Sequence, residues 1–141
     1  ENENIERIIR GLEVSSKVSL IAALPLVRDD VDSKLQRYGT EGGVIMDGRD
    51  IGTVVFPNAD IKIFMTASAE VRAKRRFKEM ISRGENPDFE SVLANVKERD
   101  FIDENREAAP LKRAKEAFLL DNSNMTVDDQ LRWFEELIAK K

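Results

Sequence analysis

Val44-Ile-Met-Asp47-Gly48-Arg49-Asp50-Ile-Gly52-Thr-Val-Val-Phe-Pro57 is the stretch on which the reading of the chain turns. A short apolar run ends in a carboxylate; Gly, Arg and a second carboxylate follow, and a new apolar run begins. Gly42-Gly43 and Gly48 bracket Val44–Met46, a run too short for a helix, so it reads as a buried strand. The crevice beyond the carboxyl end of such a strand is where α/β sheets hold ligands. Asp47, Arg49 and Asp50 there offer a metal-side carboxylate, an anion clamp and a hydrogen-bond acceptor. By themselves the same residues also fit a charged turn between strands.

Outward from this segment, helices alternate with short strands. Ile5–Leu12 and Val14–Leu24 read as helices, and Pro25 suits the first turn of a third that runs to about Tyr38. Ile61–Met65 reads as a strand. Ser68 then caps a helix from Ala69 to Ser82, ended by Gly84. A helix after Pro87 runs to about Glu107, and Ala117–Leu120 form a third strand. Thr126 and Asp129 resemble a capping box opening a final helix, whose apolar stripe is Val127, Leu131, Phe134 and Ile138. This order predicts an α/β fold with a parallel sheet covered by helices. The 141 residues suit one domain, since domains run to roughly 100–200 residues.

The helix after Pro87 changes character along one face. Phe89, Val92, Leu93 and Val96 mark a buried stripe. One turn on, Arg99, Asp103 and Arg106 project from one side at i, i+4 and i+7. Such a face has emerged either into solvent or into a polar cleft. Arg72, Arg75 and Arg76, with Lys74 and Lys78, form a basic segment that fits a solvated face or a phosphate clamp.

Composition narrows the chemistry. Charged residues are 35% and hydrophobic ones 41%, as in folded globular proteins. The net charge of −4 argues against non-specific nucleic-acid or membrane affinity. With no cysteine and no histidine, disulfides, thiol catalysis and the usual general base are excluded. Carboxylates, arginines, lysines and hydroxyls remain, a set suited to phosphate handling. No apolar run is long enough to span a membrane and no signal-peptide pattern opens the chain, so it reads as cytoplasmic. A first residue other than methionine points to processing or a fragment.

The Asp47-Gly48-Arg49-Asp50-Ile-Gly-Thr-Val-Val-Phe-Pro57 segment resembles the hallmark of bacterial cytidylate kinases. Lys97-Glu-Arg99-Asp100 with Asn105-Arg106 and Ala109-Pro110-Leu111 is similar to a later segment of that family. Val14-Ser-Ser-Lys-Val-Ser19 and Pro25-Leu-Val-Arg28 are similar to an earlier one. The resemblance covers essentially the whole chain in order. It implies a P-loop nucleoside monophosphate kinase fold, three-layer α/β/α with a parallel sheet, transferring the γ-phosphoryl of ATP to CMP or dCMP with Mg2+. Residues 1–40 would end the CMP-binding region and add the following helix, and 41–67 would hold core strands and motif. Residues 68–110 would form the lid and CMP-binding helix, and 111–141 the last strand and helix.

The phosphate-cradling G-x-x-x-x-G-K-S/T sequence occurs nowhere in the 141 residues. The chain therefore looks like the C-terminal portion of such a kinase, truncated at the N-terminus and inactive in isolation. The alternatives are a non-catalytic nucleotide-binding fragment and a kinase for another monophosphate. Ile102 and Glu104 depart from the arginines that relatives often carry.

Carried over by resemblance, Asp50 accepts from the cytosine amino group, Arg28 donates to the ring acceptors, and Ser19 assists at base or sugar. Arg99 and Asp103 hold the ribose hydroxyls. Arg49 and Arg106 neutralise phosphate charge, and Asp47 orients Mg2+ through water. Arg72, Arg75 and Arg76 are lid arginines closing on ATP. The whole enzyme is implied to be a monomer. In the family's usual sheet a missing first strand separates Val44–Met46 from Ile61–Met65. The isolated chain is thus expected either to close those strands together or to self-associate through the vacated edge.

Overall fold

The computed structural model describes residues 5–9 and 11–140. A short helix α1 (Glu6–Ile9) precedes α2 (Leu12–Ala22) and α3 (Pro25–Tyr38). A π-helical turn, Ile51–Val55, leads to strand β1 (Ile63–Thr66). Then come α4 (Ala69–Ser82), α5 (Phe89–Asn105), β2 (Phe118–Asp121) and α6 (Val127–Ala139). Arg10, within the helix expected over Ile5–Leu12, lies outside the described residues.

Local chemistry sets most of these boundaries. Pro25 occupies the first turn of α3, where its missing N–H costs nothing. The Ser68 side chain accepts from Val71 N at the start of α4, and Gly84, at φ +78°, follows its end. Asp88 caps α5 by accepting from Ser91 N at 2.8 Å. The capping box at α6 is present in full. Asp129 N donates to Thr126 Oγ1 at 3.1 Å, and Asp129 Oδ2 accepts from Thr126 N at 2.9 Å.

The strands β1 and β2 pair in parallel, with Ile63 opposite Phe118 and Thr66 opposite Asp121. The α/β expectation therefore holds, although the sheet has two strands among the described residues. The core lies between α4 and α5, where Ala73, Met80, Val92 and Val96 are buried. Phe77 and Phe89 meet edge to face at its rim, centroids 5.7 Å apart. The α2 helix packs across α5, and α3 across the π turn.

One expectation fails at the central segment, and with it one of the two alternatives stated for the vacated edge. Val44–Met46 forms no strand: Val44 is 42% and Ile45 94% exposed. Nor do the Val44–Met46 and β1 segments close together, for β1 pairs with β2. A strand is stabilised by a neighbour's ladder and by buried faces, and no described strand lies beside residues 44–46. The second apolar run, from Ile51, winds into the π turn instead. Three amides there converge on one carbonyl, Thr53 N, Val54 N and Val55 N reaching Asp50 O at 3.2, 2.8 and 3.3 Å. A π turn of this kind commonly marks a functional site.

Candidate active site

The π turn holds the Asp50 backbone, and that fixes where its carboxylate points. Lys62 braces the turn from below. Its ammonium donates to Pro57 O and Glu116, and a Cβ on Gly52 would come within 3.3 Å of its stem. Before the turn, a Cβ on Gly48 would lie 2.8 Å from Ile51 Cγ1, so a side chain there would push the turn outward.

Asp50 opens into a cleft of about 210 Å³ walled by α2, α3, the 47–51 segment and α5. Four arginines (Arg28, Arg49, Arg99, Arg106) and three aspartates (Asp47, Asp50, Asp103) line it. Ser19, 2% exposed, adds a hydroxyl from α2 between the apolar Val18 and Ala22.

The charges interlock. Arg28 Nη2 donates to Asp50 Oδ2 and also to Asp32 Oδ1. Asp50 Oδ1 lies 3.8 Å from Arg106 Nη2, whose other terminal nitrogen is 3.7 Å from Asp103 Oδ1. Arg49 Nε donates to Asp103 Oδ2 at 3.0 Å. Arg106 is anchored as well: Nε and Nη2 both donate to Ala109 O, at 2.8 and 2.5 Å. Ala109 turns its carbonyl inward at φ +48°, a left-handed conformation costly for a non-glycine residue just before proline.

Electrostatics follow from this crowding. Burial holds the Arg99 guanidinium below its usual range, and the cations Arg49 and Arg76 push the same way. Burial raises the Asp32 carboxyl; Arg28 opposes the shift and Asp50 reinforces it. Arg99 thus faces like charges that an incoming anion would relieve.

Ser19, Arg28, Asp47, Arg49, Asp50, Arg99, Asp103 and Arg106, all singled out from sequence, share this cleft. Arg72, Arg75 and Arg76 do not line it. Arg72 forms a bidentate pair with Asp100 at 2.7 and 2.6 Å, which raises its pKa. Arg75 donates to Asn122 Oδ1 and O, tying α4 to the end of β2. Arg76 is half-buried, and burial lowers its pKa. Asp32 and Lys62 escaped the sequence reading. The signal for Asp32 was its i,i+4 spacing from Arg28.

Asp47 is exposed at the cleft, on a loop instead of the expected strand end. No group of three acidic side chains able to hold a metal occurs among the described residues. A lone carboxylate fits a Mg2+ that keeps its waters and is bound largely by substrate phosphates.

Guanidinium forks and carboxylates converging on one cleft of an α/β protein suit a small phosphorylated molecule bearing hydroxyl and amino groups. A family model described as cytidylate kinase matches residues 1–139. The chain belongs to the cytidylate kinase family. It is 51% identical over 137 residues to the cytidylate kinase of Bacteroides thetaiotaomicron, covering 97% of this chain and 60% of that protein. The cytidylate kinase of Bacteroides fragilis is 54% identical over 130 residues, covering 92% and 57%. That of Flavobacterium johnsoniae is 51% identical over 136 residues, covering 96% and 59%. The chain thus spans about three fifths of the length of the curated relatives it matches. The family fold is that of P-loop nucleoside monophosphate kinases, in keeping with the parallel strands and their helical cover. No described helix is long and apolar enough to cross a membrane.

Proposed function

We propose that this chain supplies the C-terminal portion of a cytoplasmic, monomeric cytidylate kinase that moves the γ-phosphoryl of ATP onto CMP or dCMP. The observation carrying this reading is the Arg28–Asp50–Arg106–Asp103–Arg49 sequence of alternating charges around one cleft. A CMP phosphate oxygen attacks the γ-phosphorus as the bond to the β,γ-bridging oxygen breaks, leaving CDP and ADP.

Each residue has a part. Asp50 accepts from the cytosine amino group, the group a carboxylate reads on that base, and Arg28 donates to the ring acceptors. Ser19 serves base or sugar, and Asp103 with Arg99 takes the ribose hydroxyls. Arg49 and Arg106 balance charge on the phosphoryl group in transit, so positioning and electrostatics replace a general base. When bound, Mg2+ supplies charge neutralisation on the phosphates, and Asp47 is the residue to hold it through water. Arg72, Arg75 and Arg76 meet ATP once Asp100 releases Arg72 and Asn122 releases Arg75.

A second reading, a nucleotide-binding module without catalysis, is favoured by the lack of a G-x-x-x-x-G-K-S/T motif in the 141 residues. A kinase for another monophosphate is disfavoured by the Arg28–Asp50 pair. Titration calorimetry of the purified chain with CMP, UMP and AMP tests the proposal. CMP should bind best, and equal affinity for the three would refute it. ADP formation from ATP and CMP by these residues alone would overturn the view that they are inactive in isolation.

A further inference from the structure

Asp32 lies directly behind Arg28. The one nitrogen Arg28 Nη2 donates both to Asp32 Oδ1 and to Asp50 Oδ2. Asp50 lines the cleft, whereas Asp32 does not. The Arg28 and Asp32 side chains are each 12% exposed and Asp50 4%. Asp32 sits one turn along α3, so the helix itself sets it beside Arg28 whatever occupies the cleft. Arg28 Nε has no hydrogen-bond partner among the described residues. Without Asp32, Asp50 alone would fasten the guanidinium.

A buried carboxylate that burial pushes towards its neutral form, against the pull of Arg28, is a poor way to gain stability. It is a good way to hold an arginine whose other partner must let go. We propose that Asp32 is the positioning residue of the base-reading pair. It keeps Arg28 in place when Asp50 gives its acceptor to the amino group of the ligand. The inference rests on the reading of Arg28 and Asp50 as the groups that meet the base.

Calorimetric affinities for CMP and UMP, with the thermal midpoint of each variant, test it on the full chain. In Asp32→Ala the CMP-over-UMP preference should fall about tenfold, the range of one lost charge-assisted hydrogen bond. Asp32→Glu should recover most of it, since the longer acid still reaches Arg28. A merely structural role would weaken both nucleotides alike, and an unchanged ratio in Asp32→Ala overturns the proposal.

Arg28→Gln separates the two possible failures. If that variant keeps the preference, the base reading itself is wrong and the proposal falls with it. If it abolishes the preference while Asp32→Ala does not, the base reading survives and Asp32 is merely a neighbour. Asp32→Leu, close in size and without an acceptor, covers the case in which the alanine variant fails to fold. Nitrogen-15 spectra of the Arg28 guanidinium need no nucleotide. Hindered rotation should be seen in the native chain and weaken in Asp32→Leu, which offers Arg28 no acceptor, and equal order in both overturns the proposal.

Discussion

Asp50→Asn removes one charge from a site where solvent can do little to mask the loss. Side-chain exposure is 4% for Asp50, 3% for Arg106 and 12% for Arg28, so the interaction keeps its low-dielectric strength. A hydrogen bond to a charged partner contributes about 1.5–3 kcal/mol, and a neutral one about 0.5–1.5. Asn keeps an acceptor for the still-charged Arg28, so the difference, about 1–1.5 kcal/mol, is the most the substitution should cost. Asp32 still neutralises part of the Arg28 charge, which places the loss near the lower end. Asp50→Ala removes the acceptor as well and leaves Arg106 facing Arg28, so the loss should approach the 3–5 kcal/mol typical of a broken buried pair. Urea unfolding followed by circular dichroism measures both, provided the slope is unchanged between variants. The Asn variant should also lose about tenfold of its preference for CMP over UMP. If Asn and Ala unfold at the native midpoint, the charge network around Asp50 does not bear on the fold. If the CMP preference is intact in both, Asp50 does not read the base.

Val92, fully buried at the centre of the α4–α5 core, should lose about 2 kcal/mol on Val92→Ala, from two methyl groups and the cavity they leave; a change below a few tenths in the same urea assay contradicts that packing. The Thr126 bonds hold the Asp129 carboxyl down at about 2 against an ordinary 3.8. Its folded pKa lies below the unfolded one, so its contribution is complete above pH 4 and is lost as pH falls towards about 2. Amide exchange in the first turn of α6 should therefore speed up across that window, and Asp129→Asn should flatten the dependence. Ala109→Gly relieves the left-handed strain of about 1–2 kcal/mol but adds unfolded-state entropy. The midpoint should rise modestly, and a fall would mean that residue 109 is not strained.

What was legible in the sequence was what short stretches decide. Pro25, Ser68, Pro87 and the Thr126–Asp129 box each act within a turn or so of their helix start, and α3, α4, α5 and α6 begin where those residues predict. The two paired strands fell within two residues of expectation because apolar runs bounded by polar residues mark them. Val44–Met46 has the same local signature, yet it is no strand, because a strand also needs a partner that no window of sequence contains. The π turn was hidden for a related reason. It depends on Lys62 bracing Gly52 and Phe56 packing over Gly39, contacts between segments that are separate in sequence. Most of the cleft was legible because acid–Gly–Arg–acid and the Arg99–Asp103–Arg106 spacing carry chemistry on their face. The bonds of Arg72 and Arg75 to Asp100 and Asn122 were not, since basic residues spaced along a helix do not reveal their partners.

The bare stretch around Ile45 makes the cleft, in effect, an assembly of two polypeptides joined by a tether. Ser19, Arg28 and Asp32 lie on one side of it, and Asp47 and every later cleft residue on the other. Arg28 meets Asp50 across 22 residues of chain, and that bond joins the two sides. Proteases cut exposed backbone outside helices and strands, and residues 44–47, with Val44, Ile45 and Asp47 exposed, offer such a site. A single cut there would leave the helical cores whole while turning an intramolecular encounter into a bimolecular one. The two pieces should then hold nucleotide only at concentrations high enough to replace what the tether supplied. Limited proteolysis would thus disable the site without unfolding the protein around it.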